Sequence, residues 1–385
     1  MSTVFYMDES NGFSARLKVV GVGGGGCNAL NNMVEAGIQG VDFVGVNTDV
    51  KSLSMCKAPV KIQIGSKLTR GLGAGADPEI GKKAALEDVD QIREHLSGTD
   101  MVFITCGLGG GTGTGASPVI AEISKELGAL TVAIATKPFA FEARARMEQA
   151  ERGMTQLKTS VDSLITIPNQ RLLSIGGKHM TVMEAFLKAD EVLLNAVRSI
   201  SDLIVGSGYV VVDFADVKTI MAERGMAIMG VGAASGENRA REAAQKAISS
   251  PLLEDISIHG ARGVLINVTG NTDITLSEVN EASTLIQEQA HENAKVIWGL
   301  VFDDSMGDSM RITVIATGFD EEVAREPDNV EPLPRGRLFQ DDDNVPPFVK
   351  KKVTIDYKDI KSRSDTMDID DDRLDIPTFL RKQAD

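Results

Sequence analysis

The chain has 385 residues, 42% of them hydrophobic and 25% charged, with a formal net charge of −15. That length exceeds one ordinary core and suits two globular domains with a sizeable apolar interior. The acidic balance argues against a nucleic-acid partner, which would need basic phosphate contacts, and no apolar run nears the ~20 residues that direct membrane insertion requires.

Residues 1–16 carry acids and no early basic cluster, and they do not read as a signal peptide. Leu17–Val22 predicts a strand; a glycine cluster follows, and then a helix over Asn28–Ala36 stopped by Gly37. Val41–Val46 predicts the next strand, ending in Asn47-Thr48-Asp49. After the loop Gly71–Asp77, Pro78 opens a helix expected to run to Leu96, with Asp77 as its N-cap and Gly98 as its stop. Met101–Thr105, Leu130–Ala135 and Ser163–Ile167 predict further strands, with helices at 118–127 and 142–157. Apolar strands alternating with helices predict an α/β domain over 17–180, a parallel sheet covered on both faces. Ligands of such sheets lie outside the carboxyl ends of the strands.

A long central helix is expected over 181–205. Thr181 and Glu184 form a capping-box pattern, and Met183, Phe186, Leu187, Leu194, Val197 and Ile204 recur at helical spacing. A smaller α/β domain follows over 206–319, with strands at Met226–Val231, Gly263–Val268, Ala294–Phe302 and Arg311–Thr317 and helices at 237–248 and 277–291. From Asp320 onward the composition breaks: 30 of 66 positions are charged and six of the twelve prolines fall here. Such a stretch buries too little to offset the entropy of ordering, so 320–373 reads as a disordered acidic linker. Residues 374–385, LDIPTFLRKQAD, regain apolar side chains and read as a docking peptide that folds on a partner.

Three cysteines (Cys27, Cys56, Cys106) without a CxxC pair fit a reducing compartment, and the four histidines show no metal-ligand spacing. The chemistry lies in the glycines. Gly21, Gly23 and Gly26 form a GxGxxG between a strand and a helix, and Asp49 ends the next strand, roughly where a ribose-binding acid would sit. Gly109–Gly115, GGGTGTG, is a second and denser turn after another strand of the same sheet. Glycine leaves no Cβ between backbone N–H groups and a ligand, so successive amides can wrap an anion at a helix N-terminus. Thr112 and Thr114 are expected to add hydroxyl donors, and the Gly71–Gly75 loop a third wall. A P-loop GxxxxGK[ST] is absent, so the pattern reads as a triphosphate site without the P-loop lysine. A dinucleotide-dependent oxidoreductase built on Gly21–Gly26 is the rival reading. It leaves Gly109–Gly115 unexplained and has no hydride-handling His or Lys constellation.

Gly109–Gly115 resembles the signature loop of the tubulin superfamily. With Gly21–Asn28, Asn47–Asp49, Gly71–Pro78 and the terminal 375–382, the chain is similar to the FtsZ family of bacterial cell-division GTPases. The resemblance implies a cytoplasmic GTPase at the division site beneath the inner membrane, self-assembling head-to-tail into dynamic filaments. It implies GTP/GDP with Mg²⁺ as the nucleotide complement, and membrane-anchoring and regulatory division proteins as partners of 374–384. It assigns Gly24, Gly25, Gly26, Cys27 and Asn28 to the first phosphate and base loop, and Gly111, Thr112 and Gly113 to the signature loop on the phosphates. Glu142 and Arg146 are assigned to ribose and phosphate, and Asn169, Phe186 and Asp190 to the guanine. Asp213 and Asp216 would be the catalytic carboxylates that the next subunit inserts over the γ-phosphate. Three positions depart from the family pattern. Cys27 replaces a small residue. Ala143 replaces the usual glycine after Glu142, expected to be without consequence at a helix start. Val211 replaces the usual asparagine, which implies intact assembly with weaker positioning of the attacking water or weaker coordination of the cation. A relative that assembles without turnover is a further reading of the same residues.

Overall fold

A computed structural model describes residues 15–176, 180–205, 208–210, 212–222, 225–253 and 258–319. The linker and the terminal peptide expected over 320–385 lie outside these residues, as does Val211.

The strands are β1 (Leu17–Val22), β2 (Val41–Asn47), β3 (Val60–Gln63), β4 (Met101–Gly107), β5 (Leu130–Lys137), β6 (Ser163–Pro168), β7 (Gly208–Val210), β8 (Gly225–Ser235), β9 (Gly263–Gly270), β10 (Lys295–Phe302) and β11 (Ser309–Thr317). The helices are α1 (Gly23–Glu35), α2 (Val50–Met55), α3 (Ser66–Thr69), α4 (Pro78–Glu87), α5 (Val89–Leu96), α6 (Thr112–Glu126), α7 (Arg144–Ser160), α8 (Asn169–Gly176), α9 (Val182–Val205), α10 (Phe214–Met221), α11 (Arg239–Ile248) and α12 (Leu276–Gln287). No helix among the described residues is long and apolar enough to cross a membrane.

Strands β1 to β6 are parallel in the order 3-2-1-4-5-6. The order reverses between β1 and β4, and that switch point opens a crevice at the strands' carboxyl ends. The central strands are buried from end to end because helices cover both faces: β4 reads MVFITCG with six of its seven residues buried. One core cluster joins α1 and α9 to one face, while another joins α4 to α7 to the opposite face. The second α/β half continues the same sheet. The first residues of β8 pair with β6, Ser163 beside Gly225, and the rest of β8 pairs antiparallel with β11. Beyond them lie β9, β10 and the short edge strand β7.

Several expected boundaries shift for physical reasons. The helix expected over Pro78–Leu96 breaks at Asp88, which leaves helical geometry and whose carboxylate accepts the Gly65 N–H at 2.7 Å. The capping box at α9 forms: Thr181 N–H donates to Glu184 Oε2 at 2.7 Å and Glu184 N–H to Thr181 Oγ1 at 3.2 Å. Of the apolar stripe expected on α9, however, Met183, Phe186 and Leu187 are exposed. Only from Ala189 onward does the helix run between the sheet halves and bury a continuous face. The largest shift concerns α1 and α6, which begin inside the glycine clusters rather than after them. Pro118, expected to open a helix, is the seventh residue of α6.

Candidate active site

The two early helix starts build the site. Gly23, at φ +73°, turns the chain straight out of β1 into α1, and no side chain caps the first turn. At α6 the N-cap is Gly111, again without a side-chain cap and without an acid in the first turn. Each helix therefore presents its unpaired N–H groups and the positive end of its dipole to the crevice. Because β1 and β4 are hydrogen-bonded neighbours, the two N-termini converge. They touch backbone to backbone: a Cβ on Gly23 would stand 2.9 Å from the Gly113 nitrogen, and one on Gly113 would stand 2.6 Å from the Gly107 oxygen. No side chain fits between these turns. Each dipole favours an anion by roughly 0.3–1 kcal/mol per charge, and the converging amides add directed hydrogen bonds.

Above them lies a cavity of about 460 Å³. Its walls include Gly24, Gly25 and Asn28 from α1, Gly111, Thr112 and Gly113 from the second turn, and Glu142, Arg146, Asn169, Phe186 and Asp190 from further along the chain. The fold thus gathers eleven of the thirteen proposed nucleotide residues. Gly26 and Cys27 are not on the wall. A Cβ on Gly26 would lie 2.4 Å from the Thr105 oxygen, so this glycine serves the packing of α1 on β4. Cys27 turns into the core, its thiol 3.8 Å from the Gly21 oxygen. A hydrogen bond with Cys56 and burial push that thiol far above its usual range, so it stays protonated.

Three other sequence expectations are corrected. Thr114 does not face the cavity: its hydroxyl accepts the Gly109 N–H at 2.8 Å and closes the turn from within. Asp49 caps α2, accepting the Lys51 N–H at 2.9 Å, and does not reach the cavity. The 71–75 loop lies behind the signature turn, with Ala74 Cβ backing Gly111. Thr112 is held by a 2.6 Å hydroxyl–hydroxyl bond to Thr48 at the end of β2. Gly107, Thr136 and Pro138 also line the cavity and were not anticipated. Their signal was positional, since they stand at the carboxyl ends of β4 and β5 or just past them.

At the far end the chemistry changes from anion cradle to acceptor pair. Asn169, the first residue of α8, is 4% exposed, and its Oδ1 accepts from no described residue. Asp190 on α9 accepts from Asn32 Nδ2 at 3.3 Å. Phe186 meets Phe139 edge to face, centroids 5.3 Å apart, leaving the ring partly exposed beside the cavity. On the remaining side Glu142 accepts the Phe139 N–H at 2.9 Å and pairs with Arg146 at 3.1 Å.

Burial pushes the Asp190 carboxyl up to about 6. A carboxyl raised in the folded state favours the neutral form, so its contribution to stability is present in acid and lost as pH rises through about 6. A ligand donating N–H groups to the ionised form has the opposite dependence. Its affinity is expected to fall as pH drops through the same range, and Asp190→Asn should flatten that dependence in a titration of binding against pH.

Asp213 and Asp216 do not line the cavity. Asp213 is the N-cap residue of α10 but makes no capping bond, and Asp216 lies in the first turn; both are exposed.

A six-stranded parallel sheet with two uncapped helix N-termini at its switch point, a pair of acceptors opposite, one buried and one half-buried, and an aromatic ring beside them defines a nucleotide-binding α/β protein. The comparisons with known proteins make the class specific. Residues 16–177 match the model of the Tubulin/FtsZ family GTPase domain, and residues 225–320 match that of the FtsZ family C-terminal domain. The cell division protein FtsZ of Pseudomonas aeruginosa is 47% identical over 99% of this chain and all of its own length; that of Azotobacter vinelandii is 49% identical over 97% of this chain and 98% of its own. Among solved structures, an empty FtsZ dimer from M. jannaschii superposes with a TM-score of 0.76 at 47% identity, covering 79% of this chain and 88% of that one. The chain belongs to the tubulin/FtsZ family of GTPases.

Proposed function

We propose that the chain is a filament-forming GTPase of bacterial cell division, binding GTP in the cavity and hydrolysing it where two copies meet. The observation that carries this reading is the backbone contact between two uncapped helix N-termini, a cradle for a polyphosphate that leaves no room for a side chain. Gly24, Gly25, Gly111, Thr112 and Gly113 hold the phosphates, and Glu142 and Arg146 flank the ribose. Asn169 and Asp190 receive the N1–H and N2–H donors of guanine, while Phe186 packs on the base. Adenine would set a lone pair against the half-buried Asp190 carboxylate and leave the buried Asn169 acceptor unpaired, which discriminates strongly.

Mg²⁺ fits the donor set. Among the described residues no group of three or more His, Cys, Asp or Glu could hold a metal alone. Backbone N–H groups and the Thr112 hydroxyl surround the phosphate end, which suits an ion held chiefly by phosphate oxygens and water. Such an ion would neutralise phosphate charge.

Asp213 and Asp216 are exposed on α10 and away from the chain's own cavity, so they are available to a neighbour's nucleotide. A carboxylate there would orient and polarise the attacking water. A head-to-tail contact whose rotation does not close into a ring produces filaments. Support for self-association comes from the relatives, one of which is an FtsZ dimer from M. jannaschii. Residues 374–384 would link the filament to membrane-anchoring division proteins and hold it at the division site in the cytoplasm.

Sedimentation with GTP, GDP or ATP, with phosphate release followed across protein concentrations, tests the proposal. GTP alone should pellet the protein, and turnover per molecule should rise steeply with concentration. Equal specific turnover by dilute and crowded protein would overturn the shared-site reading.

A further inference from the structure

Ala143 joins the turn Ala140–Glu142 to α7, between the two charged residues that face the cavity from this side. Its φ of +88° and ψ of 146° lie close to a region essentially reserved for glycine, because an L side chain there collides with its own backbone. The two other described non-glycine residues with positive φ, Arg70 at 52° and Ala76 at 62°, have φ values in the range of the left-handed helical basin, which side chains do visit. The replacement of the family's glycine at 143 is therefore not neutral, contrary to the sequence expectation.

Bonds on both sides hold the strain in place. Phe139 N–H donates to Glu142 Oε1 at 2.9 Å, and Ala140 N–H donates to Gln170 Oε1 of α8 at 3.0 Å. Arg146 and Met147 N–H return to the Ala143 carbonyl at 3.1 and 3.3 Å. Arg146 also packs its own backbone against Gly109 of the signature turn. Relaxation of Ala143 to negative φ would redirect the chain after Glu142 and break the Glu142–Arg146 pair that closes this wall.

We infer that Ala143 is a positioning residue that loosens this chain's grip on its nucleotide. It keeps the Glu142–Arg146 wall strained, so the wall opens more readily, and bound GDP leaves faster than from a copy with glycine there. The inference rests on the nucleotide reading of the cavity. A strained closed wall lowers the population of the binding-competent state and weakens apparent affinity by that fraction.

The test is the release of fluorescent GDP from the full-length protein, followed by stopped flow. Ala143→Gly should slow release between about fivefold and 150-fold, the range set by a penalty of about 1–3 kcal/mol for a side chain in this sparsely populated region, and should raise the melting temperature. Ala143→Val should speed release. A higher melting temperature with unchanged release would mean the strain is only structural, and faster release from Ala143→Gly would reverse the inference; either outcome overturns it. Asp190→Ala separates this failure from that of the underlying reading, because GDP binding left intact by that variant would place the nucleotide elsewhere and sink both.

Discussion

Replacing Asp213 with alanine is expected to leave GTP binding and assembly in place while lowering hydrolysis by ~10²–10⁴-fold, the usual contribution of a positioned acid or base. The structural cost should be small. Asp213 is exposed at the start of α10 and its carboxylate makes no capping bond, so the helix loses little that alanine could not replace. Mixing gives a sharper result. The Asp213→Ala protein keeps a sound cavity, and an Asp190→Ala protein keeps Asp213 but cannot hold guanine. If the site is shared, their mixture should hydrolyse GTP faster than either alone, because some contacts pair a sound cavity with a sound carboxylate. Phosphate release that does not rise on mixing, or loss of GTP binding by Asp213→Ala itself, would count against a catalytic carboxylate supplied in trans.

Gly115→Ala is expected to be among the most destabilising single changes to the fold, by about 3 kcal/mol or more. A Cβ at 115 would stand 1.9 Å from the Pro78 oxygen and 2.7 Å from the Lys82 nitrogen, both backbone atoms of α4. A helix backbone cannot turn aside as a side chain can, so α4 and α6 would have to separate. Gly110→Ala is the control: its Cβ would meet no atom within 4 Å and its φ is not positive, so stability should hold within about 0.5 kcal/mol. Thermal unfolding followed by circular dichroism would check both, and a Gly115→Ala protein melting with the parent would mean that α4 and α6 are not packed this closely. The pair also explains why glycine is so dense between 109 and 115. Gly113 seats one glycine turn against the other, Gly115 lets two helices meet, and Gly109, at φ +90°, bends the loop under α7.

The amino-acid order alone determined the parallel sheet, because continuous apolar runs such as Met101–Thr105 alternating with helices admit few other arrangements. It also determined α9's capping box and marked both glycine clusters as the turns around which the candidate site is built. Where α1 and α6 begin was decided elsewhere. Glycine is among the poorest helix formers, so local preference places both starts too late, and only packing against β1 and β4 draws the glycines into the first turns. The short strands β3 and β7 fell below the reach of periodicity for a similar reason, since pairing across the sheet rather than their own pattern makes them, and α2 and α3 are too short to show a helical period. The site divides the same way. Its residue types could be read along the chain, but Asn169 and Asp190 face one cavity only because β6 delivers α8, and α9 runs back past α1. Which side chains turn inward, as Asp190 does and Thr114 and Cys27 do not, depends on neighbours far away in the chain, and linear spacing carries no record of them.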